Sequence, residues 1–283
     1  MRKLVIFLFF IFNSALAFAA HINYDRIDRY AQKAPILKNN ENLDKLVQYL
    51  VQPYQTDEEK ARVLLAWIVY FIDYDSYVAK QITEHKKQAR KNYNRKKLDE
   101  IPNEDILKIR AGVCADIANL YKKMGTMAGL QVEVILGHIS GCTFNSFKDG
   151  LCAHAWNAVQ IDGQWEYVDP TWAMGTSSVV LADKNSLSQY ERALNKRTSS
   201  ERNLKVRRNR QINNVWFLTD KDKMIRSHFP NDEQWQLQKK KITEAEFLGL
   251  DKVFHRNAQR KRDRAEQKQQ KRLERLETEK TKQ

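Results

Sequence analysis

After its first twenty residues this 283-residue sequence contains no stretch that could span a bilayer, no DxDxDG calcium loop, no ligand pair at structural-zinc spacing, no RNP or zinc-finger motif and no internal repeat. These absences argue against a polytopic membrane protein, an EF-hand, a zinc module, a nucleic-acid-binding module of those types and a solenoid. Cysteine is scarce, with Cys114, Cys142 and Cys152 as the whole complement. An odd count in an oxidising compartment pairs two cysteines and leaves one thiol free. The pair that closes a short loop is Cys142 and Cys152, which leaves Cys114 unpaired. Such a bridge contributes roughly 3 kcal/mol by loop entropy. The alternative is two free buried thiols.

Hydrophobic residues make up 42% of the chain and charged residues 30%, enough for one good-sized core with polar appendages. Arg2 and Lys3 precede the apolar run LVIFLFFIF and then Ala17-Phe18-Ala19, a small-x-small cleavage signal. This reads as a signal peptide over residues 1–19, and it implies a secreted or periplasmic protein. The run is short for a membrane anchor and is interrupted by Asn13 and Ser14. Its removal lowers the net charge from +14 to +12, which suits an acidic partner without naming one.

The expected domain runs over residues 20–251, with basic insertions near 80–100 and 183–213 and a charged tail over 252–283. A short helix around Ile27 and a loop at Pro35 come first. Leu43, Leu46, Val47, Leu50 and Val51 recur at helical spacing and stop before Pro53. Thr56 with Glu59 is a capping-box signal for a helix over about 57–72, with Trp67 in the core. The second insertion reads as a mobile surface loop with some helix. Val215 to Leu218 reads as a strand, and His228 as a structural histidine with satisfied nitrogens. The tail is helical or disordered and has no heptad seam, so it is a solvated appendage or a contact for an acidic polymer or surface.

Chemistry enters at Cys114, where Gly112 and Val113 lead from a loop into a helix whose buried face is Ile117, Leu120, Tyr121, Met124 and Met127, ending at Gly129. Amide groups and the dipole at a helix start favour the thiolate. Strand-like runs follow at 132–139, 153–161 and 164–169, the last two joined by Asp162-Gly163, a strong hairpin signal. Counting outward from that turn puts Ala158 opposite Tyr167 and Trp156 opposite Asp169. His154, Trp156, Tyr167 and Asp169 then share one face, with His154 diagonally across from Asp169. Pro170 ends the strand. A thiol nucleophile, an imidazole base and a carboxylate to orient it are the parts of an acyl-transfer site. The Cys114 amide is a natural oxyanion donor, and the second donor stays open. A metal site on Cys152-x-His154 is the competing arrangement, disfavoured because no second ligand pair accompanies it.

Gly112-Val-Cys-Ala-Asp-Ile-Ala-Asn-Leu120, His154-Ala-Trp-Asn157 and Val168-Asp-Pro-Thr-Trp172 together resemble the transglutaminase-like core of the papain-like thiol superfamily. The segments from Trp216 to Pro230 and Trp235-Gln-Leu237 resemble the trailing part of its kyphoscoliosis-peptidase-type branch, here in an exported, bacterial-type form. The resemblance implies an α+β fold with the nucleophile helix packed on an antiparallel sheet. It implies Cys114 as nucleophile, His154 as general base and Asp169 as orienter. A protein or peptide is the expected substrate, attacked through an acyl-enzyme. No cofactor, metal or nucleic acid is expected. The family contains both hydrolases and amine-accepting crosslinkers, and hydrolysis is preferred because no amine-binding channel is visible in the sequence. A non-catalytic binding protein on the same fold is the remaining alternative.

Overall fold

The computed structural model describes residues 22–35, 42–75, 106–107, 110–140, 152–175, 177–181, 204–208 and 211–249. The expected signal peptide, the first insertion, Cys142 and the tail lie outside the described residues. Within them, no helix is long and apolar enough to cross a membrane.

Helices α1 (Tyr24–Gln32) and α2 (Leu43–Val51) both pack on α3 (Asp57–Phe71). The capping box at its head is present: Thr56 Oγ1 accepts from Glu59 N at 3.2 Å, and Glu59 Oε2 accepts from Thr56 N at 3.3 Å. Every residue of α3 from Ala61 to Val69 is buried, so this helix is a core element wrapped on all sides and has no solvent stripe in its middle. Trp67 is in the core as expected. Short strands β1 (Asp73–Tyr74) and β2 (Ala111–Gly112) pair in parallel and lead into α4 (Cys114–Met127). Gly129, at φ +82°, ends that helix in a conformation that suits glycine.

The main sheet contains β3 (Val132–Ile139), β4 (Cys152–Ile161), β5 (Gln164–Val168), β8 (Phe217–Thr219) and β9 (His228–Pro230). Its order is β8-β5-β4-β3-β9, antiparallel throughout. The β4–β5 hairpin has the counted register, with Ile161 opposite Gln164 and Ala158 opposite Tyr167. Asp162 and Gly163 both have positive φ, the geometry that matches strand twist in a two-residue turn.

Helix α4 lies on β3 and β4. Ala115, Ala118 and Ala155 form the contact, and such small side chains let helix and sheet approach closely. Asn157 Nδ2 donates to Ala118 O at 3.0 Å and to Glu133 O at 3.1 Å, tying the helix to both strands. The opposite face of β4 carries Trp156 and Ala158, packed with Ile135, Tyr167 and Met224. Met224 ends the short helix α6 (Lys221–Met224).

Three expectations are corrected. Met127, read as part of the buried face of α4, is 45% exposed because it sits in the last turn, where the helix leaves the core. The strand foreseen over Val215 to Leu218 is a 3-10 turn at Asn214–Trp216 followed by β8, because the Asn213 side chain accepts from Val215 N and caps the turn. The second insertion is not wholly loop or helix. Residues Leu204–Arg208 form β7, paired with β6 (Ser177–Leu181), in keeping with the alternation of Leu204 and Val206 with Lys205 and Arg207.

Candidate active site

Cys114 is the first residue of α4 and is free and partly exposed. The turn that presents it is held by Asp116, whose Oδ2 accepts from Val113 N at 2.9 Å. Gly112 leaves room for this closure: a Cβ there would stand 2.7 Å from Asp116 Cβ and 2.9 Å from Ile106 Cδ1. The loop-to-helix junction read from the sequence is therefore a tightly packed corner with the sulfur at its tip.

His154 lies near the start of β4, opposite Gly137 on β3. Its Nε2 meets Asp169 Oδ2 at 2.7 Å, and Cys114 lies near enough for ring and thiol to shift each other's titration. Asp169 follows β5 and caps α5 (Pro170–Ala173), its Oδ1 accepting from Trp172 N at 2.9 Å. The aspartate backbone is fixed as well, since Asp169 N donates to Trp216 O at 2.9 Å. Proline at the first helical position suits this junction, because an amide hydrogen there would have no partner inside the helix.

Of the three sequence-predicted residues, His154 and Asp169 are joined by a hydrogen bond, and Cys114 is close enough for its titration to respond to both. Burial works against each charge, and the partners outweigh it. For Cys114, desolvation pushes the thiol up, while the His154 hydrogen bond and charge and the Ala155 amide bring it below the ordinary thiol value. For His154, burial favours the neutral ring, but Asp169 and then Cys114 raise it to about 10. Asp169 is held well below the usual carboxylate range by His154 and then His228, against a desolvation that would raise it. An imidazolium flanked by a thiolate and a carboxylate is the charge state that these shifts describe.

His228 is where the sequence reading fell short. Both its nitrogens are satisfied, as expected of a structural histidine, but one partner belongs to the site: Nε2 meets Asp169 Oδ2 at 3.0 Å, while Nδ1 meets Ser227 Oγ at 2.8 Å. Its neighbours Phe229 and Pro230 carried no signal of this. Tyr74, paired with Gly112, is a second neighbour; burial first, then the charges of Cys114 and Asp169, push its phenol well up.

His154, Asp169 and His228 offer three ligand-type atoms within 4.8 Å of one another. Those atoms are joined to one another by hydrogen bonds at 2.7 and 3.0 Å. Cys152, the cysteine of the competing arrangement, is disulfide-bonded, and Cys114 is free.

A helix carrying a thiol at its start, laid on a curled antiparallel sheet that carries the histidine and aspartate, is the transglutaminase-like, papain-like fold. Residues 44–170 match the model of the Transglutaminase-like superfamily. The chain is 28% identical over 218 residues to human Kyphoscoliosis peptidase, covering 76% of this chain and 27% of that protein. It is 25% identical over 244 residues to Hillarin of Drosophila melanogaster, covering 81% and 25%. The chain therefore spans only about a quarter of the length of these curated relatives. A solved structure titled a TGase has 14% identity and a TM-score of 0.34, covering 61% of this chain and 39% of that one, too partial a superposition to bear on function.

Proposed function

We propose that this protein is an exported cysteine enzyme that cleaves amide bonds of proteins or peptides through a thioester acyl-enzyme. The observation that carries the reading is the 2.7 Å hydrogen bond between His154 and Asp169 beside Cys114 at a helix start, with the thiol lowered and the imidazole raised to about 10. In this mechanism the Cys114 thiolate attacks the amide carbonyl carbon, and the developing oxyanion is met by the Cys114 backbone amide. His154 gives its proton to the leaving nitrogen as the C–N bond breaks, leaving a thioester. The neutral imidazole then takes a proton from water, which attacks the thioester and restores the thiol. Asp169 keeps the ring oriented and stabilises the imidazolium at each proton transfer.

Hydrolysis is preferred over transfer to an amine because the human relative matched is named a peptidase. The disulfide of Cys152 is assigned to Cys142, which pins the segment delivering His154. Export rests on the signal-peptide pattern of residues 1–19, with cleavage after Ala19.

The test is alkylation by iodoacetamide across pH with intact protein. Selective modification of Cys114 at pH values where ordinary thiols are inert, abolished by His154→Ala, is the expected outcome. An inert Cys114 overturns the proposal. Incubation with a glutamine-containing protein and a labelled amine separates the reaction types: Cys114-dependent incorporation would replace hydrolysis by crosslinking. Mass mapping without reduction and N-terminal sequencing of the exported protein check the bridge and the cleavage site.

A further inference from the structure

We propose that His228 is a positioning residue of this site: its neutral ring donates Nε2–H to Asp169 Oδ2, the oxygen that also holds His154, and so limits how strongly Asp169 stabilises the His154 imidazolium. The inference rests on the catalytic reading of Cys114, His154 and Asp169.

The geometry carries it. One carboxylate oxygen receives both rings, at 2.7 Å from His154 and 3.0 Å from His228, while the other oxygen is taken by Trp172 N at 2.9 Å. A buried carboxylate oxygen facing two imidazole nitrogens needs a hydrogen from each, so His228 must carry its hydrogen on Nε2. Its Nδ1 is then an acceptor for the Ser227 hydroxyl, which stands 2.8 Å from it and a longer 3.3 Å from its other acceptor, Met224 O.

The surroundings hold the ring neutral. His228 is 1% exposed and is enclosed by Trp156, Trp172 and Trp216 at ring-centre distances of 5.0, 4.5 and 5.3 Å. The titratable groups around the array are Cys114 on α4, His154 on β4, Asp169 at the head of α5 and Tyr74 on β1, with Asp75 and Asp116 near Tyr74. Desolvation first, opposed by Asp169 and reinforced by the His154 charge, lowers His228 to about 4. Of the two histidines on one carboxylate, His154 is therefore charged and His228 neutral.

A shared oxygen divides its charge between its two donors. With His228 in place, Asp169 holds His154 less tightly than it would alone. The imidazolium can then give up its proton to a leaving amine, and the thiolate keeps a basicity useful for attack. Very low thiol pKa reduces intrinsic nucleophilicity, so an over-stabilised ion pair is a slower catalyst.

This reasoning predicts a direction that a merely structural role does not. His228→Asn retains a polar atom near Ser227 but cannot reach Asp169, whereas His228→Gln can place an N–H where Nε2 stands. In the iodoacetamide profile of the full-length protein, His228→Asn is expected to move the acid limb downward. The shift is about half a pH unit, roughly a threefold change in the apparent ionisation constant, with a lower plateau rate. His228→Gln is expected to restore the parent profile. A site that has only been loosened would move the acid limb upward, toward an ordinary thiol. An upward or absent shift in folded His228→Asn, or failure of Gln to restore the profile, overturns the inference. An ordinary-thiol profile in the parent protein overturns the catalytic reading instead. Should the Asn variant fail to fold, nitrogen-15 NMR of histidine-labelled parent protein decides the matter. A neutral His228 with hydrogen on Nε2 from pH 5 to 9 is expected, and a charged ring or the Nδ1–H tautomer refutes the proposal.

Discussion

Gly137→Ala perturbs the site without touching any of its functional side chains. Gly137 sits opposite His154 on one side and Pro230 on the other, so it lies between the strands that carry the two histidines. An added Cβ would stand 2.2 Å from Phe229 O, 2.5 Å from Trp156 Cη2 and 2.9 Å from Pro230 Cα. Ordinary carbon–oxygen contacts begin near 3.3 Å, so β9 must retreat by about 1 Å or the indole must leave its slot. Neither is free. The β9 end is bonded to β3 through Asn231 N and Leu136 O at 2.8 Å, and Trp156 is 0% exposed. Overpacking of this kind costs about 1–3 kcal/mol, and losing the hydrogen bond from His228 to Asp169 adds about 1. At about 2–4 °C per kcal/mol for a domain of this size, Tm should fall by roughly 4–16 °C. Calorimetry or a circular-dichroism melt measures it. A second readout is the alkylation profile of Cys114, expected to shift because β9 carries His228. A Tm within 2 °C of the parent and an unchanged profile would refute the packing argument.

Other substitutions address the remaining links. Asp169→Asn removes the charge that holds His154 protonated and leaves one hydrogen-bond mismatch whichever way the amide is turned. Amide cleavage should fall by about 10²–10⁴-fold, and Cys114 alkylation should follow an ordinary thiol near pH 8.5; retention of the acid-shifted profile would exclude the carboxylate's role. Arg62, 1% exposed, binds Asp28 through Nε at 2.8 Å and Nη2 at 2.6 Å and Asn214 at 2.7 Å, joining α1 and α3 to the turn before β8. Arg62→Met leaves Asp28 without its cation and should cost about 3–5 kcal/mol by denaturant unfolding, and Arg62→Met with Asp28→Leu should recover most of that loss. His228 titrates near 4 when folded and near 6.5 when unfolded, so below pH 6.5 the unfolded chain binds the extra proton. Stability should therefore fall as pH drops from 6.5 to 4, by about 3 kcal/mol from this residue, and His228→Gln should flatten that slope in urea unfolding. Thr56→Ala removes the cap of α3 and should cost about 1 kcal/mol by the same measurement.

What could be read in advance was local. The capping box at Thr56 and Glu59, the apolar spacing along α4 and the Asp162-Gly163 turn are signals confined to a few neighbouring residues, and the structure carries all three, the spacing as far as Met124. The hairpin is the most informative case. A two-residue turn sets the register, and register sets which side chains share a face, so His154 and Asp169 could be related across fifteen residues by counting alone. The count had its limit at Asp169 itself. The ladder stops at Val168, and Asp169 is aimed at His154 by capping α5 and by its amide bond to Trp216. The Asn213 cap defeated the strand expected at Val215, since a run of apolar residues does not distinguish a strand from a capped 3-10 turn.

The sequence alone determined the helix that presents Cys114, the turn that aligns the strand of His154 with the strand that leads to Asp169, and the odd cysteine count that leaves one thiol free. Only the tertiary structure decided that His228 reaches the same carboxylate oxygen as His154, that Gly137 must lack a side chain and that Arg62 is neutralised by Asp28. The reason is the length scale of each interaction. Periodicity, caps and two-residue turns act between residues a few positions apart, whereas His228 meets Asp169 across 59 residues and only because β9 adds to the far edge of β3. No local pattern encodes which strand closes that edge. It follows from the packing of the whole sheet.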